Sequence, residues 1–233
     1  MEVDLQALIN EAKHIVFMTG AGVSTASGIP DYRSKNGLYH NQTLRPEYLL
    51  STDALRDEPA AMYQFIMANM FYPQAQPNVI HDKMAALTHQ DKAKIITQNV
   101  DGLHLKAGAI PENVIEFHGN IYDIYAPLDN QHVDYQAYQA NMLREDGALL
   151  RPNITLYGEI PFRVDEAMQW VNDADLIVIV GTSFVVYPFA GLLEYAQPNA
   201  KVVAINLERI PAPNFVKQML GDAVNVFNEL KIK

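Results

Sequence analysis

Short apolar runs that end in a polar residue or a glycine recur along this chain. They occupy residues 14–19, 94–97, 114–117, 176–180 and 202–205. Their side chains are almost continuously apolar, which is typical of strands covered on both faces of a parallel sheet. Helical patterns lie at residues 5–13, 59–70, 81–90, 163–171 and 191–196. This alternation predicts an α/β fold, with an open parallel Rossmann-like sheet and helices on both faces.

Two stretches interrupt the alternation of strand and helix. Residues 31–91 are mostly helical and rich in Tyr, Met and Phe, and residues 121–153 are polar and mixed. We expect these two insertions to form a smaller helical and mixed module beside the sheet. The large domain would then comprise residues 1–30, 92–120 and 154–233, and the small domain residues 31–91 and 121–153.

Composition and charge narrow the function classes. The 233 residues include 17 Lys and Arg against 27 Asp and Glu, which gives a net charge of −10. The chain has no dense Lys/Arg run, so we expect no nucleic-acid partner. An acidic surface would suit a basic peptide partner, although acidity also serves solubility alone. The absence of cysteine excludes disulfides, a cysteine nucleophile and a thiolate zinc site.

Residues 176–193 carry no charge and are long enough to suggest a membrane span. The glycine at Gly181 and the proline at Pro188 instead divide them into a strand, a tight turn and a new element. The chain begins with an acidic amphipathic helix that lacks the features of a targeting signal. We therefore expect a cytoplasmic protein with no membrane partner.

The first candidate for chemistry is a glycine-rich loop directly after the first predicted strand. Gly20 and Gly22 would allow a tight turn and a close approach of the backbone to a pyrophosphate. The dinucleotide fingerprint requires a third glycine where this chain has Thr25, and no strand ending in an acid follows about twenty residues later. The spacing alone leaves nucleotide binding and a plain tight turn open.

Two further polar motifs follow the next two predicted strands. Residues 97–104 read TQNVDGLH, and residues 116–120 read EFHGN. The first suits a ligand site at a strand end, or an Asx turn with a helix cap. Of the seven histidines, His118 is the best candidate for a general base, although a lone histidine is more often structural.

The last two motifs follow the fourth and fifth predicted strands. Gly181, Thr182 and Ser183 end the most apolar strand, and Asn206 and Glu208 lie on the same face of the next strand end. The carboxylate of Glu208 could accept hydrogen bonds from ribose hydroxyls, or it could simply be solvated. All five motifs come at carboxyl ends of strands, where ligands bind in open α/β sheets.

Together these motifs resemble, in order and spacing, those of the sirtuins, a family of NAD-dependent protein lysine deacylases. The runs that carry the resemblance are GAGVSTASGIPDYRS, TQNVDGLH, FHGN, RPNITLYGE, GTSFVVYP and INLE. They extend over essentially the whole chain, which is similar to a minimal bacterial member. The resemblance implies NAD as cofactor, an acyl-lysine protein or peptide as substrate, and a monomer. The implied products are free lysine, nicotinamide and O-acyl-ADP-ribose.

The resemblance also implies roles for individual residues. His118 matches the catalytic base, with Asn99 and Asp101 as further catalytic residues in the nicotinamide ribose pocket. The residues implied to bind NAD are Gly20, Ala21, Gly22, Ser24, Ile29, Asp31, Tyr32, Arg33, Gln98, Gly181, Thr182, Ser183, Asn206, Glu208 and Ala223.

Other activities of the same pocket stay open. A protein ADP-ribosyltransferase or an NAD glycohydrolase would use the pocket on another acceptor, and a non-catalytic NAD sensor would only bind there. The intact His118 and Asn99 favour the deacylase. A dehydrogenase is disfavoured by the incomplete glycine fingerprint.

The chain departs from the family at its structural zinc site, which two Cys-x-x-Cys pairs usually form. The corresponding positions are Ala126, Asp129, Leu143 and Asp146, which cannot make a closed tetrahedral site. We expect no metal, and a hydrophobic cluster in place of coordination. Its expected members are Ile121, Tyr122, Tyr125, Leu128, Tyr138, Met142, Leu149 and Leu150, with Ala126 and Leu143. An improvised site of Asp129, His132, Asp134 and Asp146 is the alternative.

The acyl pocket is a second point of departure. Sirtuins that prefer succinyl-lysine or malonyl-lysine carry a tyrosine and an arginine three residues apart in the helical insertion. The matching positions here are Ile66 and Asn69, which offer no cation to an acidic acyl group. The same Met- and Phe-rich helix could equally be plain core.

Overall fold

In the computed structural model, which describes residues 3–31 and 45–232, six parallel strands form the main sheet. Their order across the sheet is β3 (Val114–Glu116), β2 (Ala93–Thr97), β1 (Ile15–Thr19), β7 (Leu176–Val180), β8 (Lys201–Asn206) and β9 (Lys217–Leu220). The chain moves outward from β1 on one side and from β7 on the other. The direction therefore switches between these two central strands, and a ligand crevice is expected there.

The five strands predicted from the sequence are confirmed, and β9 is the strand that the sequence analysis missed. Both central strands, β1 and β7, are buried along their whole length, as their continuous apolar runs predict. Strand β9 is short, half-exposed and paired on one side only, so it lacks the apolar run by which the others were recognised.

Helices cover both faces of the main sheet, which confirms the predicted fold class. One face packs against α1 (Leu5–Glu11), α5 (Val79–His89) and α9 (Ala223–Glu229). The other packs against α8 (Val164–Asp173) and a 3₁₀ helix at Ala190–Tyr195. Successive residues of β1 alternate between the two cores, with Phe17 in the first and Met18 in the second.

The smaller module combines an antiparallel sheet with short helices. Its strands lie in the order β5 (Gln131–Val133), β4 (Gly119–Ala126) and β6 (Arg151–Ile154). Its helices are α2 (Pro46–Leu49), α3 (Thr52–Asp57), α4 (Pro59–Asn69) and α7 (Tyr135–Ala140). A third core joins them, and the remaining short helix, α6 (Leu103–Lys106), follows β2.

Helix α5 lies within residues 31–91, which the sequence assigns to the small domain. Its buried residues Ile80, Met84 and Leu87 instead pack in the core beneath the parallel sheet. We therefore propose that the first segment of the small domain ends before Val79.

The former zinc-ligand positions are only partly filled by packing. Ala126 is completely buried in the third core, as expected. Leu143 is 41% exposed and Leu128 is 78% exposed, so the expectation that both belong to the hydrophobic cluster is wrong. Leu128 lies in the turn after β4, and Leu143 forms an isolated β-bridge with Leu149 at the surface.

An arginine holds the two remaining positions together. The guanidinium of Arg144 donates to Asp129 at 2.6 and 3.2 Å and to Asp146 at 2.6 and 2.9 Å, and it also reaches Gln131 Oε1 at 3.3 Å. Hydrogen bonds from Arg144 lower the pKa of both carboxyl groups, that of Asp146 to about 2. A cation of the chain itself therefore joins the two segments that zinc would join.

Aromatic contacts add a second link within this module. The ring of Phe71, which follows α4, lies 5.6 Å from Tyr122, 6.4 Å from Tyr135 and 6.2 Å from Tyr138, centroid to centroid. Tyr63 meets Tyr138 edge-on at 5.0 Å. These pairs pack the helical insertion against the antiparallel sheet without a metal.

Neither a metal cluster nor a membrane span is found in the described ranges. No three His, Asp or Glu side chains there lie close enough together to hold a metal ion. His132, a member of the alternative zinc site, instead pairs with Asp123 at 2.6 Å. No helix there is both long and apolar enough to span a membrane. The uncharged residues 176–193 comprise β7, a loop and the start of the 3₁₀ helix.

We expect Arg144→Gln to lower the melting temperature by a few degrees, because both carboxylates lose their partner. The difference in melting temperature between variant and parent should narrow as the pH falls from 5 toward 2. Both carboxyl groups have lowered pKa values, so the stabilisation by Arg144 is lost as they become protonated. Thermal unfolding followed by circular dichroism at several pH values measures both. Arg56→Gln is the matched control, since Arg56 also pairs with two aspartates but its side chain is 66% exposed. Equal shifts for both variants would show that Arg144 is not a cross-link.

We expect Gly119→Ala to destabilise the chain strongly. Gly119 begins β4 with a φ of +81°, and a Cβ there would overlap the carbonyl oxygen of Asn153 on β6. Gly147→Ala is the control, because Gly147 has a similar φ of +87° but open space around its Cα. Both substitutions strain the backbone, so a larger fall in melting temperature at Gly119 isolates the clash. Comparable losses would contradict the proposed close contact.

Candidate active site

A cavity of about 780 Å³ lies at the carboxyl ends of the parallel strands, beside the small module. It contains most of the residues singled out in the sequence. Those that line it are Gly20, Ala21, Gly22, Asp31, Gln98, Asn99, His118, Gly181, Thr182, Ser183, Asn206, Glu208 and Ala223. Ser24, Ile29 and Asp101 line a smaller adjoining cavity that shares Ala21 and Asn99 with it. Tyr32 and Arg33 lie outside the described residues.

The loop after β1 does not continue into a regular helix. It forms two 3₁₀ turns, at Ala21–Val23 and Thr25–Ser27. A Cβ on Gly20 would lie 2.7 Å from Thr182 Cβ, and one on Gly22 would lie 2.7 Å from Gly181 Cα. Gly22 N donates to Gly181 O at 2.8 Å. These two glycines therefore allow the close contact between the loops after β1 and β7, in addition to any approach of a ligand.

Side-chain hydrogen bonds connect three strand ends across the floor of the cavity. Gln98 Nε2 donates to Thr182 Oγ1 at 2.8 Å, and Thr182 N donates to Asn206 Oδ1 at 3.0 Å. The amide nitrogen of Asn206 is buried and has no partner within the described part of the chain. A buried donor of this kind costs about 1–3 kcal/mol unless a ligand or water accepts from it.

A second network surrounds Ser24 in the smaller cavity. Ser24 Oγ donates to Asp101 Oδ2 at 2.6 Å and accepts from Asn99 Nδ2 at 3.1 Å. Asp101 Oδ1 also accepts from Leu103 N at 2.9 Å. Burial raises the pKa of Asp101, and these hydrogen bonds oppose that shift. The serine thus fixes the two side chains that the TQNVD motif contributes.

His81 belongs to this network and was missed in the sequence. Its Nδ1 accepts from Asn78 N at 3.2 Å, so the proton is on Nε2, which lies 3.5 Å from Ser24 Oγ. Burial lowers the pKa of His81 to about 4, so the ring is neutral at pH 7. The sequence signal was an Asn and a His three residues apart at the start of α5. That spacing indicates a helix cap and says nothing of a contact with the first loop.

His118 lies at the end of β3, where its neighbours fix the backbone on both sides. Phe117 N donates to Thr97 O at 2.8 Å, and His118 O accepts from Thr155 N at 2.9 Å. Burial lowers the pKa of His118 to about 4, while a hydrogen bond to the carbonyl of Gln98 opposes the shift. A solvated histidine has a pKa of about 6.5, and burial of the His118 ring accounts for the difference.

Glu116, which begins the EFHGN motif but received no role from the sequence, is a further titratable group beside the site. Burial raises its pKa to about 7, and its Oε1 accepts from Asn120 Nδ2 at 2.9 Å. Asn120 Oδ1 in turn accepts from Tyr122 N at 2.9 Å. The carboxyl group thus ties the end of β3 to the beginning of β4, on either side of His118.

Comparisons with known proteins agree with this geometry. Residues 20–188 match the model of the Sir2 family. The chain is 48% identical over 233 residues to an NAD-dependent protein deacetylase of Lactiplantibacillus plantarum, covering 97% of each chain. It is 46% identical over 230 residues to one of Listeria innocua, covering 97% of this chain and 99% of the relative.

Solved structures show the same fold. A Sir2 protein in complex with a p53 peptide and NAD⁺ superposes with a TM-score of 0.85 at 31% identity, covering 98% of this chain and 96% of that one. A Sir2 protein bound to a propionylated peptide superposes with a TM-score of 0.84 at 31% identity, covering 96% and 94%. With its fold, its cavity and these similarities taken together, the chain belongs to the Sir2 family.

Proposed function

We infer that this chain is an NAD-dependent protein deacetylase. The observation that carries the inference is the meeting of His118 with the loops after β1, β2, β7 and β8 in one cavity. A base and a nucleotide-sized polar wall thus share one cleft, which the small module also borders. Deacetylation requires this combination, since NAD and the acyl group must meet beside a base.

The residues present fit NAD. We propose that Asn206, Glu208 and Ala223 hold the adenosine half, where the unpartnered Asn206 amide offers a buried donor. Gly20, Ala21 and Gly22, with Thr182 and Ser183, would line the phosphates, where the absence of side chains at the two glycines permits a close approach. Gln98, Asn99 and Asp101, with Ser24, Ile29 and Asp31, would hold the nicotinamide ribose end. Tyr32 and Arg33 are proposed for that end on the sequence resemblance alone.

When bound, NAD supplies a ribose carbon that the acyl oxygen of the substrate lysine attacks as nicotinamide leaves. The protein must then remove a proton from a ribose hydroxyl so that the acyl group can pass to ADP-ribose. His118 is suited to this step because its ring is neutral at pH 7. The hydrogen bond to the Gln98 carbonyl occupies one ring nitrogen as donor, which leaves the other free to accept a proton.

The network around Ser24 prepares the other side of the reacting centre. Asn99 and Asp101 are held by the same hydroxyl group, and the neutral His81 supports that hydroxyl from behind. Side chains fixed before the substrate arrives need no reorganisation during the reaction. We propose that this network positions the ribose against His118.

The substrate is proposed to be an acyl-lysine in a protein or peptide, as for the relatives solved with peptides. The wall beside His118 is apolar and includes Leu50, Met70, Ile154 and Leu156, which suits a short aliphatic acyl group. Ile66 is completely buried in the third core, so it does not contact this cavity.

Asn69, the other position compared with acid-selective sirtuins, also lies outside the main cavity. It lines only the smaller cavity, and its Nδ2 donates to Phe65 O at 2.8 Å. The monomeric state and the cytoplasmic location stay predictions from the sequence.

We expect His118→Ala to lower kcat for deacetylation by about a hundredfold or more, with NAD affinity changed only a few-fold. The base acts on the ribose hydroxyl, so it contributes little to capture of the cofactor. Mass spectrometry of O-acetyl-ADP-ribose formed from NAD and an acetyl-lysine peptide measures turnover, and calorimetry measures NAD binding. His89→Ala is the control, because His89 is exposed and bonds to Gly108 O outside the cavity.

The same mass spectra test the alternatives. An ADP-ribosylated peptide would indicate a transferase, and free ADP-ribose without deacylation would indicate a glycohydrolase. Near-parental turnover by His118→Ala would show that another group is the base.

We expect an acetyl-lysine peptide to react with a kcat/KM at least tenfold above that of the succinyl-lysine peptide of the same sequence. A succinyl carboxylate would lie in a part of the cavity where the described residues beside His118 offer no cation. Burying an unpaired charge there is costly. Arg209 does line the cavity, but it follows β8 at the cofactor end. Steady-state kinetics on the two peptides measure the ratio, and a higher value for the succinyl peptide would overturn this view of the pocket.

A further inference from the structure

Thr155 stands at the junction between the small module and the catalytic base. It follows β6 directly, it lines the large cavity, and its N–H donates to His118 O at 2.9 Å. Its chain neighbours, Ile154 and Leu156, are buried in the third core.

The hydroxyl group of Thr155 is left without a partner. Its Oγ1 is buried and makes no hydrogen bond within the described ranges of the chain. Other buried threonines around the site are satisfied: Thr19 Oγ1 lies 3.0 Å from His104 Nε2, and Thr97 Oγ1 accepts from Asn99 N at 3.0 Å. A valine of the same shape would avoid the cost of a buried, unpaired hydroxyl.

A change of χ1 rotamer would make this hydroxyl available to a ligand. A threonine has a few staggered χ1 rotamers, and turning from one to another exchanges the places of the hydroxyl and the methyl group. Because Oγ1 has no hydrogen bond to lose, the exchange breaks none. Thr155 lines the same cavity as the apolar residues Ile154, Leu156, Leu50 and Met70, so its hydroxyl is a polar group among apolar neighbours.

We propose that Thr155 is a specificity-determining residue whose hydroxyl hydrogen-bonds an oxygen on the acyl chain of the substrate. The enzyme would then favour hydroxyacyl-lysine over the unsubstituted acyl-lysine of the same length. This inference rests on the proposed deacetylase function. A hydroxyl can both donate and accept, so it can pair with a substrate hydroxyl in either direction.

The test compares matched peptide pairs that differ by one hydroxyl on the acyl group. The pairs are 2-hydroxypropionyl-lysine against propionyl-lysine, and 3-hydroxybutyryl-lysine against butyryl-lysine. For each pair the ratio of kcat/KM values is measured with the parent, Thr155→Val and Thr155→Ser. We expect Thr155→Val to lower the ratio by about three- to tenfold for at least one pair, and Thr155→Ser to keep it near the parental value.

A second readout separates this role from a structural one. Removing an unpaired hydroxyl should leave the melting temperature of Thr155→Val no lower than that of the parent. If Thr155→Val leaves the kcat/KM ratio of both pairs unchanged, the inference is wrong. It is also wrong if Thr155→Val lowers kcat/KM equally for all acyl groups, because the hydroxyl would then bond to the lysine amide rather than to the acyl chain. If the parent removes no acyl group at all, the proposed function fails instead. Peptide dissociation constants measured in the presence of NAD then still test the role of Thr155.

Discussion

The site depends on the contact between the loops that leave β1 and β7. The two strands are neighbours at the point where the chain reverses direction across the sheet. Their loops approach so closely that a Cβ at Gly20, Gly22 or Gly181 would meet the other loop at 2.6–2.7 Å. Gly181 also has a φ of +62°, which glycine tolerates without cost. The contact also fixes Thr182, which bonds to Gln98 after β2 and to Asn206 at the end of β8.

Burial of neutral polar groups is the second constraint. His81, His104 and His118 all have pKa values lowered by burial, so the folded chain holds them uncharged. The unfolded chain would protonate them below about pH 6.5. Their burial therefore costs no stability above that pH and costs progressively more as the pH falls toward 4. What the fold gains is uncharged ring nitrogens close to the loops of the candidate site, such as His81 Nε2, which lies 3.5 Å from Ser24 Oγ.

Continuous apolar runs predicted five of the six strands of the main sheet, because strands covered on both faces need no polar residue. The same reasoning missed β9, which is half-exposed. It assigned α5 to the small domain, although the buried residues of α5 pack beneath the parallel sheet, because helical periodicity does not say which sheet a helix packs on. Strand-end motifs located the cavity, since parallel strands end at one edge. His81 was not found, because its role arises from a contact with Ser24, which is distant in the chain, and Glu116 received no role, because its raised pKa arises from burial. Gly20 and Gly22 were connected only with a pyrophosphate in the sequence, but they also allow the two loops to touch. Both kinds of close contact require glycine, so the sequence does not distinguish them.

The small module shows how a metal cross-link can be replaced by ordinary side chains. Zinc ligation binds four side chains in fixed geometry, and its binding free energy becomes folding free energy. Here Arg144 joins Asp129 and Asp146 by planar, bidentate hydrogen bonds, and aromatic pairs around Phe71 attach the helical insertion to the sheet. Exposed ion pairs are individually weak, so the aromatic core must supply most of the stability while the arginine sets how the two turns meet. The arginine link therefore responds to pH and salt, whereas the aromatic contacts respond to neither.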